Sequence, residues 1–173
     1  MLTNVVNKYA YQLETDLSVQ VLEECLNSMR KRLPTLESFT NNFKGICWSH
    51  HWDVYSDEKD KERCQLVLAV LEEYSSNRAI NLPVTIEHIL PDADSIENAQ
   101  IGNMLFVEEA LNKRCGNKPI SEKIEIYKES VLQLPRLFAM RYGNKDFRPE
   151  QRTEFLARYF YNNILGIPDQ FDS

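Results

Sequence analysis

Glycine is scarce, with five in 173 residues, and proline reaches only seven. That composition excludes a long flexible linker or a low-complexity tract. No apolar run approaches the roughly 20 residues that cross a bilayer, so no membrane partner is expected. The opening stretch, MLTNVVNKYAYQLETD, has no basic segment leading into an apolar one, and no export signal is visible. The cysteines Cys25, Cys47, Cys64 and Cys115 include no CxxC pair. In a chain without an export signal they read as reduced, mostly buried thiols, and the expected location is cytoplasmic. Positive charge is also short, with 20 Lys and Arg against 26 Asp and Glu, which argues at first against nucleic acid.

The distribution of charge says more than its sum. From Leu111 to Arg152 the chain carries ten Lys and Arg against five Asp and Glu, a net of +5, whereas residues 1–110 carry nine against eighteen. A local basic face can bind phosphate on an acidic protein, although the same residues also suit solvated helix faces. The hydrophobic fraction of 43% and the length suit one globular unit with a sizeable core.

Most of the chain has helical periodicity. Val5, Val6, Tyr9 and Leu13 share one stripe, and Asp16 is placed to cap the next helix, Leu17 to Arg32. Pro34 stops that helix and Thr35 caps a third, with Leu36, Phe39 and Phe43, which Gly45 ends. Residues 46–56 are irregular and aromatic-rich. A strong helix follows over 57–74, acidic at its start, with Cys64, Val67, Leu68, Val70 and Leu71 inward; Ser75, Ser76 and Asn77 close it. Ser121 is expected to cap a helix reaching about Leu134, with Ile124, Tyr127, Val131 and Leu132 inward and Pro135 interrupting. Gly143-Asn144 marks a turn, and Pro149 occupies the first position of a last helix running to about Leu165.

The exception is Val84 to Lys118. A β-branched run, Val84-Thr85-Ile86, leads into Glu87-His88-Ile89-Leu90-Pro91. After a polar loop, Gly102-Asn103 opens a second apolar run, Met104 to Val107, and a short helical pattern carries Asn112. Strand, loop, strand and helix would gather a carboxylate, an imidazole and two carboxamides. The expected fold is α+β, predominantly α-helical, with this small two-stranded unit inserted between helices. Its expected organisation is an N-terminal helical segment, 1–58, packed on a domain spanning 59–173.

These residues resemble a known family. Glu87-His88-Ile-Leu-Pro91, Ile101-Gly102-Asn103, Leu111-Asn112 and Gly116-Asn117-Lys118 look like the HNH (ββα-metal) nuclease domain at the C-terminus of GmrSD-type, modification-dependent restriction enzymes. The likeness covers about residues 60 to 165, and the combined pattern is more specific than any of its parts. It implies His88 as general base, Glu87 and Asn112 as metal ligands, and Asn103 beside His88 in the catalytic set, as the scaffold that holds it. It also implies Lys113, Lys118 and Lys123 as nucleic-acid contacts, with Mg²⁺ as cofactor and Mn²⁺ as its substitute. One position departs: many HNH proteins carry a Lys three residues after the last motif residue, where this chain has Cys115.

The chemistry is consistent with that likeness. Phosphodiester hydrolysis needs a proton acceptor for water, which a near-neutral imidazole supplies. It also needs charge relief at phosphorus, which a hard cation on oxygen ligands supplies. The expectation is therefore an HNH endonuclease or nickase acting on DNA, in defence against foreign DNA, with a protein partner for recognition or activation. Other readings are an RNA-directed nuclease, or a non-catalytic interaction module that keeps the fold. Cys47-Trp48-Ser49-His50-His51 lacks the paired ligands of a zinc finger and reads as an aromatic corner.

Overall fold

The computed structural model describes residues 19–143 and 146–167. The helix expected at 3–14, its neighbour's cap at Asp16 and the Asn144 half of the Gly143 turn lie outside them. The chain divides into two compact units, Met1–Ser38 and Phe39–Ser173. In the first, α1 spans Val19–Arg30. Helix α2, Leu36–Phe43, opens where the Thr35 hydroxyl accepts the Ser38 N–H at 3.1 Å, as the sequence predicts.

The second unit begins within α2, at Phe39, and holds the remaining elements; the described residues are mainly helical. Helix α3, Glu58–Ser76, starts at Asp57, whose carboxylate accepts the Lys59 N–H at 2.9 Å. It ends at Asn77, in the left-handed region at φ 52°. Cys64, Val67, Leu68 and Leu71 recur at helical spacing and are buried.

Strands β1, Val84–His88, and β2, Met104–Glu108, pair antiparallel, with Glu87 opposite Leu105 and His88 opposite Met104. Met104 to Val107 are all buried because both faces of β2 are covered. Met104 and Phe106 join one core with Trp48, Leu68 and Leu156; Leu105 and Val107 join another with Ile89, Cys115 and Tyr127. Strand alternation thus splits one hydrophobic run between two cores. Helix α4, Glu109–Cys115, follows directly.

The helix expected from Ser121 to Leu134 is two helices. Helix α5, Ile120–Tyr127, begins one residue before Ser121, and α6, Gln133–Tyr142, begins just before Leu134. Two distant carboxylates cause the break. Glu108 accepts the Ser130 hydroxyl at 2.8 Å and the Val131 N–H at 2.7 Å. Buried Glu72, on α3, accepts the Gln133 and Leu134 N–H groups at 2.6 and 2.8 Å and so caps α6. Pro135 therefore lies in the first turn of α6, where its missing N–H is harmless, rather than interrupting a helix. Val131, expected inward, is 69% exposed.

Helix α7, Pro149–Tyr159, has proline at its start as expected and continues through a π-type segment, Phe160–Ile164. It presses on the loop before β2. A Cβ on Gly102 would collide with the Pro149 carbonyl and with Thr153, so only glycine fits there. The Thr153 hydroxyl accepts the Gly102 N–H, and the Arg152 guanidinium donates to the carbonyls of Gly102 and Met104 at 2.7 and 2.9 Å.

Candidate functional site

Strand β1 sets the site. It ends at His88 in regular register, with no bulge, so Thr85 and Glu87 share one face and Ile86 and His88 the other. Because the strand stops there, Glu87 and His88 border one cavity of about 550 Å³, together with Trp48, Lys61, Asp92, Asn112 and Lys123.

Asn112, on α4, reaches the Glu87 face. Its Nδ2 donates to the Thr85 hydroxyl at 2.7 Å and to the Ile86 carbonyl at 2.9 Å. A carbonyl can only accept, which fixes the amide orientation and leaves Oδ1 without a hydrogen-bond partner among the described residues. Glu87 and Asn112 line the same cavity.

Glu87 is 4% exposed. Its Oε1 lies 2.7 Å from the Lys123 ammonium and accepts the Tyr127 hydroxyl at 3.1 Å. Burial raises its pKa, and the Lys123 charge and the Tyr127 hydroxyl pull it back. All its partners are on Oε1. Since no side-chain oxygen among the described residues is both sealed from solvent and unpaired, Oε2 retains access to the cavity.

Lys123 differs from its expected role as a phosphate contact. It is 2% exposed, and its ammonium donates to the His88 carbonyl at 2.7 Å as well as pairing with Glu87. Its charge is compensated inside the protein, so it positions the end of β1. Asn103 is likewise wholly buried and cannot touch a substrate. Its carboxamide accepts the Leu90 N–H at 2.9 Å and donates to the carbonyls of Leu90 and Asn98, each at 2.8 Å. It ties the loop as a scaffold should, one turn of chain beyond the imidazole rather than on it. Lys113 and Lys118 are on the surface beside Glu109 and Glu122, at 2.6 and 3.8 Å. Cys115 is buried in the second core, and burial pushes its thiol up to about 12.

The imidazole of His88 depends on residues that the sequence pattern did not single out. Its Nε2 lies 3.1 Å from the Trp48 carbonyl. Because that oxygen only accepts, Nε2 carries the proton and Nδ1 is the basic nitrogen of the neutral ring. The ring stacks on Trp48 at 5.5 Å, and the Lys61 ammonium lies 5.6 Å from the same indole. Burial lowers the His88 pKa, while nearby Asp92 opposes the shift. Asp92 in turn accepts the Ser49 hydroxyl at 2.6 Å and the His50 N–H at 3.3 Å. The Trp52 indole donates to the Asp92 carbonyl at 2.7 Å. The stretch 47–52 is thus the wall that orients His88. Among the described residues no group of three or more His, Cys, Asp or Glu could hold a metal. Glu87 Oε2 and Asn112 Oδ1 are two hard donors, a set that suits a partly hydrated oxygen-seeking cation and no closed metal cage.

A two-stranded antiparallel ribbon followed by a short helix, with an imidazole and a carboxylate at its open end, defines a ββα unit within a mainly helical α+β protein. The chain belongs to the family of GmrSD restriction endonucleases, C-terminal domain, whose family model matches residues 48–159. That membership gives it nuclease-related, restriction-type kinship. The matched span opens at Trp48, the residue whose carbonyl orients His88. Neither the curated proteins nor the solved structures yield a match.

Proposed function

We propose that the chain is a metal-dependent HNH-type endonuclease or nickase that hydrolyses DNA phosphodiester bonds. The observation that carries this reading is the neutral His88, its Nε2 proton held by the Trp48 carbonyl, at a cavity shared with Glu87 and Asn112. His88 Nδ1 takes a proton from water as the oxygen attacks phosphorus, and the bond from phosphorus to the leaving 3′ oxygen breaks. Glu87 Oε2 and Asn112 Oδ1 would hold Mg²⁺, or Mn²⁺ in its place. The cation supplies charge relief at the phosphate and the leaving oxygen. Asn103 and Lys123 keep the strand end in place, and the exposed Lys113 and Lys118 offer charge to flanking phosphates. With a net charge of −6 the chain has weak unaided affinity for DNA, which favours a protein partner for recognition or activation. The restriction kinship supports a role in defence against foreign DNA, for which the cytoplasm is the proposed location.

One observation favours a second reading, an accessory module without catalysis: the Lys123 ammonium already neutralises Glu87 Oε1. Plasmid cleavage separates the two. Purified protein with Mg²⁺ or Mn²⁺ is expected to nick supercoiled DNA. EDTA stops the reaction, and His88→Ala lowers its rate by about 100- to 10,000-fold. Equal nicking by His88→Ala sinks the endonuclease reading, and no nicking by the wild type in either metal favours the accessory module. Labelled single-stranded RNA in parallel tests the substrate: faster cleavage of RNA than DNA would replace DNA as the target.

A further inference from the structure

Helices α3, α6 and α7 enclose a second cavity, of about 390 Å³, remote in composition from the first. Leu71, Leu134, Leu137, Phe138 and Leu156 give it apolar walls, and no Asp or Glu lines it. Two guanidiniums do: Arg141, stacked 4.2 Å over Phe155, and Arg152. Arg152 is 5% exposed, and its Nη1 donates to the Gly102 and Met104 carbonyls. Its Nε and Nη2 have no hydrogen-bond partner among the described residues. No side-chain nitrogen there is both sealed and unpaired, so these atoms meet the cavity. Its guanidinium carbon lies 5.4 Å from the Phe138 ring centroid, burial lowers its pKa to about 10, and no Asp or Glu is hydrogen-bonded to it among the described residues. A buried guanidinium normally has a carboxylate partner, because removing the charge from water is costly.

We propose that this cavity binds a small apolar carboxylate, a medium-chain aliphatic or an aromatic acid, with its tail among the leucines and its carboxylate on Arg152 Nε and Nη2, supported by Arg141. The volume lies in the range of small-molecule sites. The fork of Nε and Nη2 matches a carboxylate in the two-point manner guanidinium favours. The ligand supplies the missing counter-charge without displacing the carbonyls on Nη1, so it adds to the anchoring of the loop. The proposal is independent of the His88 cavity, of metal and of cleavage.

Titration of the full chain with octanoate, read by calorimetry and by NMR shift mapping, tests it, with octanol as the uncharged control. The expected result is saturable binding with a Kd below about 1 mM, shifts on α3, α6 and α7, and a raised Tm at saturation. Octanol is expected to bind at least tenfold more weakly. Arg152→Gln removes the anchor but also frees two buried carbonyls, so two further variants guard the test. Leu137→Trp, which fills the cavity from a half-exposed position, weakens octanoate at least tenfold; Arg141→Gln weakens it about threefold. No saturable binding, a preference over octanol of less than threefold, or an unchanged Kd in Leu137→Trp would overturn the proposal.

Discussion

Two buried cations meet opposite ends of the same loop region, and their surroundings differ. Lys123 has a carboxylate, Glu87, at 2.7 Å and a carbonyl, that of His88, at the same distance. Arg152 has the carbonyls of Gly102 and Met104, the Phe138 ring at 5.4 Å and a cavity, with no carboxylate hydrogen-bonded to it among the described residues. The first is a closed electrostatic unit, in which each charge compensates the other away from water. The second is open, and its missing counter-charge is the reason to expect a ligand. A buried charge is thus read by its partners rather than by its burial.

Breaking the closed unit has the largest expected effect. Lys123→Met leaves Glu87 buried without its cation and is expected to cost about 3–5 kcal/mol in urea unfolding. Adding Glu87→Gln to Lys123→Met is expected to recover most of that loss. If the double variant is no more stable than the single, the pair is not the unit described here. Arg152→Met sharpens the contrast. It removes an uncompensated charge while freeing two carbonyls, so a smaller loss of about 1–2 kcal/mol is expected by the same measurement. A loss equal to that of Lys123→Met would mean that the guanidinium is balanced by something other than those carbonyls.

The smallest effect is a pH slope. Burial holds the folded pKa of His88 below its ordinary value near 6.5. The unfolded chain therefore takes up this proton first as pH falls. The stability contributed is complete above about 6.5 and is lost as pH drops through the folded value. Glu87, raised by burial, has the opposite sign: its contribution declines as pH rises from about 4.5 through its folded value. Unfolding free energies of the Glu87→Gln protein between about pH 5 and 7 should rise with pH, and His88→Gln in that background should flatten the rise. An unchanged slope would place the titration elsewhere.

Much of this was legible in the sequence, where local chemistry decides local structure. Asp57, Thr35, Asn77 and Pro149 mark helix ends through their own backbone and side-chain preferences, and they do so in the fold. The β-branched run at 84–86, the apolar run at 104–107 and the His88 motif locate the ribbon. What escaped was set at long range. The break between α5 and α6 is made by Glu72, some 60 positions earlier, and nothing near Gln133 announces it. The partner of the His88 ring is the carbonyl of Trp48, and a main-chain oxygen has no residue identity to read. The resemblance implies Lys123 as an exposed phosphate contact, but a short helix with one Lys and two Glu does not say where that Lys points. Only packing turns it inward, although a Lys on the same helix face as Ile124 and Tyr127 was a hint. The stretch from Cys47 to His51 reads in the sequence as an aromatic corner, and only the fold shows that it holds the His88 ring through the Trp48 carbonyl.

The grip of α7 on the Gly102 loop also has a consequence for biosynthesis. Arg152 and Thr153 follow that loop by about 50 residues. A ribosome translating this region releases the ribbon well before it releases the helix that braces it. Until Pro149 and its successors emerge, the loop carbonyls lack their guanidinium and Gly102 faces solvent. Whatever the His88 cavity does, a nascent chain completes it only after the helix that braces the loop has emerged.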